Sequence, residues 1–441
     1  MGEFQGYILG SIQPVSVFGF LRSLPHMLSS AYLPFWIMTV FPIMRYVLPE
    51  LGCWLVYWVW PTRIRPALHE HKQRAEPLVS VVIAGRNESG SIEAAIRAAV
   101  GCGYRHLEVI FVDDDSDDDT VAVARRTAQS LGLHRSDKIR IFEAPRRGGK
   151  SSALNIGLSV ARGKFVAVID ADSTIQFGAM QHWLRPFEDP AVGAVAGNLR
   201  VRNSEASFLA QMQELEYALQ VTLARLAEAQ LGLLNIIPGA AGLFRTEILR
   251  RLGGYDSGLG DDTDMTVKLR KQRWKLAFSL DAVVWTDVPE TRARLFRQRA
   301  RWERNMVKIR LSKHRDMFLL GRYGLSNAIV TLDLLVMRLL LPWVALVGIT
   351  YFTCNEGPLA VPTLLTDLYW WSLPWIFLRG LMARDLSCNP VPERFWLIFV
   401  YPFYKIILRF VVMAAQAKEL LRIGIKHPYV PDHVWAQTPW W

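Results

Sequence analysis

At 441 residues the chain is long for one domain, and 51% hydrophobic residues with 16 tryptophans is rich for a purely soluble protein. A net charge of +11 could suit nucleic acid, but Arg and Lys crowd the borders of apolar stretches, where anionic lipid headgroups would draw them, and no nucleic-acid-binding module is recognisable. Cys53, Cys102, Cys354 and Cys388 are scattered without the paired spacing of a zinc site or a disulfide framework.

Residues 1–62 are apolar and aromatic and end in the run LGCWLVYWVW (51–60). They read as N-terminal membrane anchor helices, in one span or two because Arg45 and several prolines interrupt them, with no cleavage site of a removed leader. Arg63, Arg65, Lys72 and Arg74 follow, and the positive-inside tendency places this end in the cytosol. From 77 to 290 short β-branched runs alternate with helical periods, the pattern of a cytosolic nucleotide-binding α/β domain. VSVVIAG (79–85), LEVIFVDDD (107–115), KIRIFEA (138–144) and KFVAVIDAD (164–172) predict buried parallel strands. Acidic residues end them, which is where open parallel sheets bind ligands.

Residues 291–322 are basic and amphipathic, as helices on a membrane surface are. Within 323–417, the stretches 325–352 and 361–382 are long and apolar enough to span, while 395–415 carries Lys405 and Arg409 four apart and suits an interfacial or a pore-lining helix. Residues 418–441 form a basic tail, placed in the cytosol. Asp333, Arg338, Arg379, Lys405 and Arg409 fall inside the apolar segments. Exposing such groups to lipid costs about 2.5–3.5 kcal/mol each, so they suit a conduit for a polar glycan or snorkel to the interface, the latter expected for Arg379.

Five motifs could carry chemistry. Arg86, Asn87 and Glu88 follow the first strand and Asp113, Asp114 and Asp115 end the second, where such side chains can hydrogen-bond a base and ribose; the alternative is a solvated turn capped by Ser116 or Asp117. Gly148, Gly149 and Lys150 open a helical stretch whose amides and ammonium can hold phosphate oxygens, or form a simple turn. Asp170 and Asp172 form a DxD; strand alternation would put both carboxylates on one face, as hard ligands for Mg²⁺ or Mn²⁺ on a diphosphate. Asp261 and Asp262 lie in GLGDDTDMT (258–266), as a carboxylate pair or as helix caps with Asp264 in the first turn. Gln298, Arg301 and Trp302 form QxxRW, in which Arg301 can meet a leaving pyrophosphate and Trp302 a sugar ring, or both can lie at lipid headgroups.

The order DD, DxD, GDD and QxxRW, over roughly residues 77–305, resembles the processive family 2 glycosyltransferases, the membrane synthases of cellulose, chitin, hyaluronan and related polymers. The resemblance implies a GT-A-type nucleotide-sugar-binding α/β domain, with a Rossmann-like parallel-rich sheet, inserted between N- and C-terminal transmembrane helices. It departs from the family pattern at Asp115, where the family has Gly. Carried onto these positions, it implies donor binding by Asn87, Glu88, Asp113, Asp114, Lys150 and Asp170, with Mg²⁺ or Mn²⁺ at Asp172. Asp262 aligns with the base that takes the acceptor proton, beside Asp261, and Gln298, Arg301 and Trp302 close the site. The implied activity is inverting, metal-dependent extension of a β-linked polysaccharide from a nucleotide sugar, a UDP-sugar by preference, and its passage across a bacterial inner or plasma membrane. Its partners would be the donor, the growing polysaccharide, the lipid bilayer and secretion or regulatory subunits, with no nucleic acid. A non-processive transferase acting on a lipid acceptor, and a transporter with a regulatory nucleotide-binding domain, are the alternatives.

Overall fold

The computed structural model describes residues 33–64, 76–134, 136–256, 260–319, 321–358, 360–387 and 394–421. Residues 1–32, 65–75 and 422–441 lie outside the described residues, so most of the anchor, the basic stretch after it and the tail expected at 418–441 are not described. The chain enters as two helices, α1 (Leu33–Pro42) and α2 (Leu48–Val59), joined by a π-helical segment at Ile43–Val47.

One eight-stranded sheet forms the centre, in the order β3-β2-β1-β4-β7-β6-β8-β5. β1 (Val79–Gly85), β2 (Leu107–Asp113), β3 (Ile139–Glu143) and β4 (Phe165–Asp170) are parallel to their neighbours, as expected. β1 and β2 are near-continuous apolar runs because helices cover both faces of a parallel sheet. β3 differs from the expected buried strand: it is the sheet edge and only half-buried. Beyond β4, β7 (Gly242–Arg245) runs antiparallel to both β4 and β6 (Val192–Val201); β6 is parallel to β8 (Lys275–Thr286), and the short β5 (Ser173–Ile175) pairs antiparallel with β8. The sheet is therefore mixed and rich in parallel pairs.

Helices α3 (Ile92–Val100), α4 (Thr120–Ser130), α5 (Lys150–Val160) and α6 (Ala179–Leu184) cross between the early strands. α7 (Phe208–Glu216) and α8 (Ala224–Gln230), linked by a π-helical segment at Tyr217–Leu223, α9 (Thr246–Arg251) and α10 (Asp261–Lys271) complete the layers. One apolar core, with Ile92, Ile96, Phe111 and the fully buried Trp183, fills one face; the other face carries Val82, Leu154, Val168 and Met265 and reaches Met382 and Leu386 of a C-terminal helix. Burial of that second face thus joins the sheet to the helices that follow it.

α11 (Arg292–Val307) is capped by Thr291, whose side chain accepts from Arg294 N, and continues as a π-helical turn over Lys308–Lys313. α12 (Leu325–Asp333), α13 (Leu341–Glu356), α14 (Ala360–Ser387) and α15 (Leu397–Leu420) follow. Among the described residues two helical stretches are long and apolar enough to cross a membrane, Leu325–Glu356, which joins α12 and α13, and Leu397–Leu420. The second covers residues 397–415 of the stretch that sequence left between interfacial and pore-lining. The stretch expected to span at 361–382 is helical, as α14, but falls outside that pair: Asp367 and Arg379 interrupt it, beside Trp370, Trp371 and Trp375.

Four of the charges that sequence placed in these segments, Asp333, Arg338, Arg379 and Lys405, are paired. Arg379, expected to snorkel, instead donates to both oxygens of the buried Glu50 on α2, at 2.6 and 2.7 Å, and to Leu219 O at 3.0 Å. Its side chain is thus turned into the protein, against α2 and the segment after α7. Arg45 bridges Glu228 at 2.8 Å and Asp333, and Arg338 donates twice to Glu303 of α11, at 3.0 and 2.8 Å. Each of these pairs fastens one helix to another.

Candidate functional site

Register brings the C-terminal ends of β1, β2 and β4 to one edge: Gly85 is level with Asp113, and Ala84 with Asp170. The loops after β1 and β2 interlock there. Asn87 Oδ1 accepts from Asp117 N at 2.9 Å, Asn87 N donates to Ser116 Oγ at 2.9 Å, and Arg86 Nε donates to Asp115 O at 3.0 Å. Asn87 and Asp115 both hold left-handed backbone, with φ of 57° and 60°. That conformation explains why glycine suits position 115 and why aspartate, which tolerates it better than most residues, can replace it.

Several side chains have partners that sequence did not indicate. Asp113 is buried and accepts from Ser116 N, at 2.9 Å, and from Ser116 Oγ, closing its own turn. Neither Ser116 nor Asp117 caps the next helix; Asp118 Oδ1 accepts from Thr120 N at 3.0 Å instead. The amides of Gly148 and Gly149, expected to face phosphate, donate to Asp114 at 2.8 and 2.9 Å. Burial outweighs these two bonds and raises the Asp114 carboxyl above its ordinary value. A carboxylate on the preceding loop thus holds this helix start in place.

Lys150, the first residue of α5, is the hub. Its Nζ bonds Asp170 Oδ1, lies 3.4 Å from Gly239 O and stands 3.7 Å from Asp261 Oδ2. Burial would lower the Lys150 ammonium, but Asp170 and Asp261 outweigh it and hold its pKa above the ordinary lysine value. Gly239 belongs here for steric reasons: a Cβ would stand 3.1 Å from Lys150 Nζ and 3.5 Å from Asp261 Oδ2. DxD and GDD, some 90 residues apart in sequence, therefore meet across one ammonium.

Asp172 lies in the turn after β4, past the last strand residue Asp170, so the turn and not strand alternation brings it to the site. Burial, then the Asp170 carboxylate, push the Asp172 carboxyl up to about 6, with Glu88 adding to the rise. Burial also raises Glu88, whose Oε2 accepts from Ser91 Oγ at 2.7 Å. Among the described residues no three His, Cys, Asp or Glu side chains form a ready metal cage. Asp170 and Asp172 still fit a hard divalent cation, since their mutual repulsion is what a cation would relieve and Mg²⁺-type sites take their remaining ligands from phosphates and water.

Asp261 and Asp262 open α10, whose N-cap is Gly260 at φ 72°, so neither aspartate is the cap; both, with Asp264, lie in the first turn. Burial, then Asp261, push the Asp262 carboxyl up to about 6 against the restraint of Lys150, while Thr263 N donates to Asp262 Oδ1 at 2.6 Å. Gly260 also sets the distance to α11: a Cβ there would meet Ile309 Cγ1 at 3.0 Å and Asn305 Cβ at 3.4 Å.

The remaining expected residues lie on α11. The Gln298 Oε1 is buried without a hydrogen-bond partner among the described residues, Arg301 is half-buried, and Trp302 is 37% exposed beneath the Arg299 guanidinium, 4.5 Å from the ring centroid. Arg299, the unheralded member of QRARW, pairs with Glu216 at 2.6 Å, and Glu216 also accepts from Tyr404 and Lys405 of α15. Sequence reasoning missed Glu216; a lone glutamate inside the apolar stretch LEYALQV was the available signal. It also missed the clamp behind α10, in which Asp264 meets His314 Nε2 at 2.7 Å and Lys313 at 2.6 Å, while Lys268 and Lys313 share Asp256. Aspartates and lysines at helical spacing pass for an ordinary solvated face.

Comparison with known proteins places this geometry in a family. The glycosyltransferase-like family 2 matches residues 76–305, about half the chain. A poly-beta-1,6-N-acetyl-D-glucosamine synthase of Staphylococcus epidermidis is 28% identical over 226 residues, 51% of this chain and 53% of that protein. Its namesake in Staphylococcus aureus is 29% identical over 242 residues, 54% of this chain and 56% of that protein. The chain thus spans about half the length of the curated relatives it matches. In fold it is similar to a mannosyltransferase from Pyrobaculum calidifontis, solved with GDP-Man and Mn²⁺, with a TM-score of 0.57 and 22% identity over 84% of this chain and 95% of that one. That coverage exceeds the family-matched half, so the likeness extends into the flanking helices and supports a GT-A-like fold. With its mixed, parallel-rich sheet and its acidic edge, this chain belongs to the glycosyltransferase-like family 2 and carries a glycosyltransferase domain.

Proposed function

We propose that the protein is an inverting family 2 glycosyltransferase that polymerises a β-linked polysaccharide from a nucleotide sugar. The convergence of Asp170 and Asp261 on Lys150, with Asp172 and Asp262 adjacent, carries the reading. The relatives' names favour N-acetylglucosamine as the sugar and hence a UDP-linked donor. In this reading 77–290 is the cytosolic catalytic domain, 1–62 and 323–417 supply the membrane helices, and 291–322 lies at the interface between them.

Asn87, Glu88, Asp113 and Asp114 border the base and ribose, and Lys150 and Asp170 lie toward the diphosphate. A divalent cation, Mg²⁺ or Mn²⁺, would be held by Asp172 beside Asp170 and would supply neutralisation of the diphosphate charge. Asp262 accepts the proton of the acceptor hydroxyl as that oxygen bonds to the anomeric carbon and the bond to the nucleoside diphosphate breaks on the opposite face. A carboxyl held up to about 6 is ionised at neutral pH yet basic enough for this task. Gln298, Arg301 and Trp302 close the acceptor side, with Arg301 donating to the leaving diphosphate.

One observation favours transfer of a single sugar to a lipid acceptor. The charges of the C-terminal helices at Arg338, Arg379 and Lys405 are taken up by Glu303, Glu50 and Glu216, so they fasten helices where a conduit would need polar groups turned to a glycan. The test is nucleotide release by purified, lipid-reconstituted protein across UDP-glucose, UDP-N-acetylglucosamine, UDP-glucuronate and GDP-mannose with Mg²⁺ or Mn²⁺, with products sized on a gel. Long products establish the polymerase, single additions to lipid establish the second reading, and activity undiminished in Asp262→Asn refutes the assignment of the base.

A further inference from the structure

A second concavity lies away from the acidic edge, where the C-terminal end of α10 and the start of β8 meet the N-terminal turn of α12. It encloses about 290 Å³ and is lined by Arg270, Arg273 and Lys275 together with Tyr323, Leu325 and Asn327 among others, and no carboxylate lines it. Arg270 is 5% exposed and donates only to neutral acceptors: Asn327 Oδ1 at 2.7 Å, Leu234 O at 2.7 Å and Ser326 Oγ at 2.9 Å. Glu228 attracts it only from beyond hydrogen-bond reach; a buried guanidinium with no acidic hydrogen-bond partner among the described residues is costly, and an incoming phosphate would relieve it. Lys275 shares an exposed pair with Asp189 at 2.9 Å, a partner that solvent weakens, and Arg273 has no acidic partner among the described residues.

The rim is apolar. Leu325 in the lining is 77% exposed, and Leu231, next to the lining residue Gly232, is 55% exposed. From Leu325 the helical stretch runs 32 residues to Glu356, about 48 Å at helical rise against a hydrocarbon core of about 30 Å. The excess length leaves an end of the stretch at headgroup depth, and the α12 end is the one anchored through Ser326 and Asn327 to Arg270 of the catalytic domain. A volume at the bottom of the range for small-molecule sites, about 300–1,000 Å³, suits a headgroup better than a nucleotide sugar.

We propose that this cleft binds the phosphate headgroup of an anionic phospholipid from the leaflet that α12 enters, with Arg270, Arg273 and Lys275 around the phosphate and Leu325 against the acyl chains. The proposal rests on the membrane reading of Leu325–Glu356 and is independent of which polymer is made. The full-length protein is reconstituted in nanodiscs of equal phosphatidylcholine and phosphatidylglycerol, extracted, washed with detergent, and its retained lipid counted by native mass spectrometry. Wild type keeps phosphatidylglycerol over phosphatidylcholine, and Arg273→Asn with Lys275→Gln reduces that preference about fivefold for each charge removed. Asparagine accommodates the φ of 60° at position 273, so the variant folds as wild type does. Arg126→Gln, which removes an exposed charge on α4, leaves the preference intact.

Equal retention by wild type and the double variant overturns the proposal. So does protection against thermal unfolding by millimolar inorganic phosphate in detergent without any lipid preference, which would assign the cleft to a soluble anion. Retention of phosphatidylglycerol by a protein that turns over no donor supports the cleft while sinking the synthase reading.

Discussion

Replacing Lys150 with methionine removes the ammonium on which Asp170 and Asp261 converge while keeping a side chain of similar length. Unit charges 3.7 Å apart, the Lys150 to Asp261 separation, attract by on the order of 4 kcal/mol at an effective dielectric constant of about 20. Lys150 and Asp170 are 35% and 34% exposed, so solvent screening leaves about 1–2 kcal/mol, or about one pKa unit, for the neighbouring carboxylates. Asp262, already pushed up to about 6 by burial and by Asp261 and restrained by Lys150, would rise to about 7. A base must be ionised to act, so its activity is present above its pKa and fades as pH falls through it. Lys150→Met should therefore show a deficit about fivefold larger at pH 6 than at pH 8, beyond any loss common to both. The assay is kcat/KM for nucleotide release between pH 5 and 9 at saturating divalent cation, which keeps Asp172 ionised. Lys150→Arg, which keeps the charge, should leave the acid limb near its wild-type position. A folded Lys150→Met protein whose acid limb does not move would refute the electrostatic link between the lysine and the base.

Three further outcomes are expected. Asp262→Asn should lower kcat by about 10²–10⁴-fold with nucleotide binding retained, read by calorimetry beside steady-state turnover. Asp172→Asn should weaken binding of Mn²⁺ in the presence of nucleoside diphosphate, followed by electron paramagnetic resonance of the free ion, whereas Asp137→Asn, an exposed carboxylate away from the site, should leave it unchanged. His314, buried against Asp264, has its pKa lowered because burial disfavours the charged ring, so the unfolded chain takes up the proton more readily. Its stabilising contribution is present above the ordinary histidine value of about 6.5 and is lost as pH falls below it. Thermal unfolding of wild type between pH 7.5 and 5.5 should show this loss, and His314→Gln should flatten it; a slope equal in both proteins would remove His314 from the clamp.

The early strands and the acidic positions were legible in sequence. A strand buried on both faces demands an unbroken apolar run, and VSVVIAG and LEVIFVD have one. The carboxylates at their ends stand out because nothing in the packing of a strand calls for them. β3 misled for the same reason: KIRIFEA has the composition of a strand, but only pairing tells an edge from a centre. The antiparallel β7 and the far half of the sheet were equally beyond the motifs, since strand direction depends on how the chain returns.

The sequence by itself determined which chemical groups the protein carries, in what order, and which stretches are apolar enough to avoid water, because these follow from residue type in short windows. Only the tertiary structure decided who meets whom. It put Asp114 on the Gly148 and Gly149 amides, Lys150 between Asp170 and Asp261, and Arg379 on Glu50, a partner 329 residues away in the chain. A charge reads the same in sequence whether it ends in solvent, in lipid or against its opposite; its energy is set by the distance to a partner and the dielectric between them, and both are properties of the folded chain.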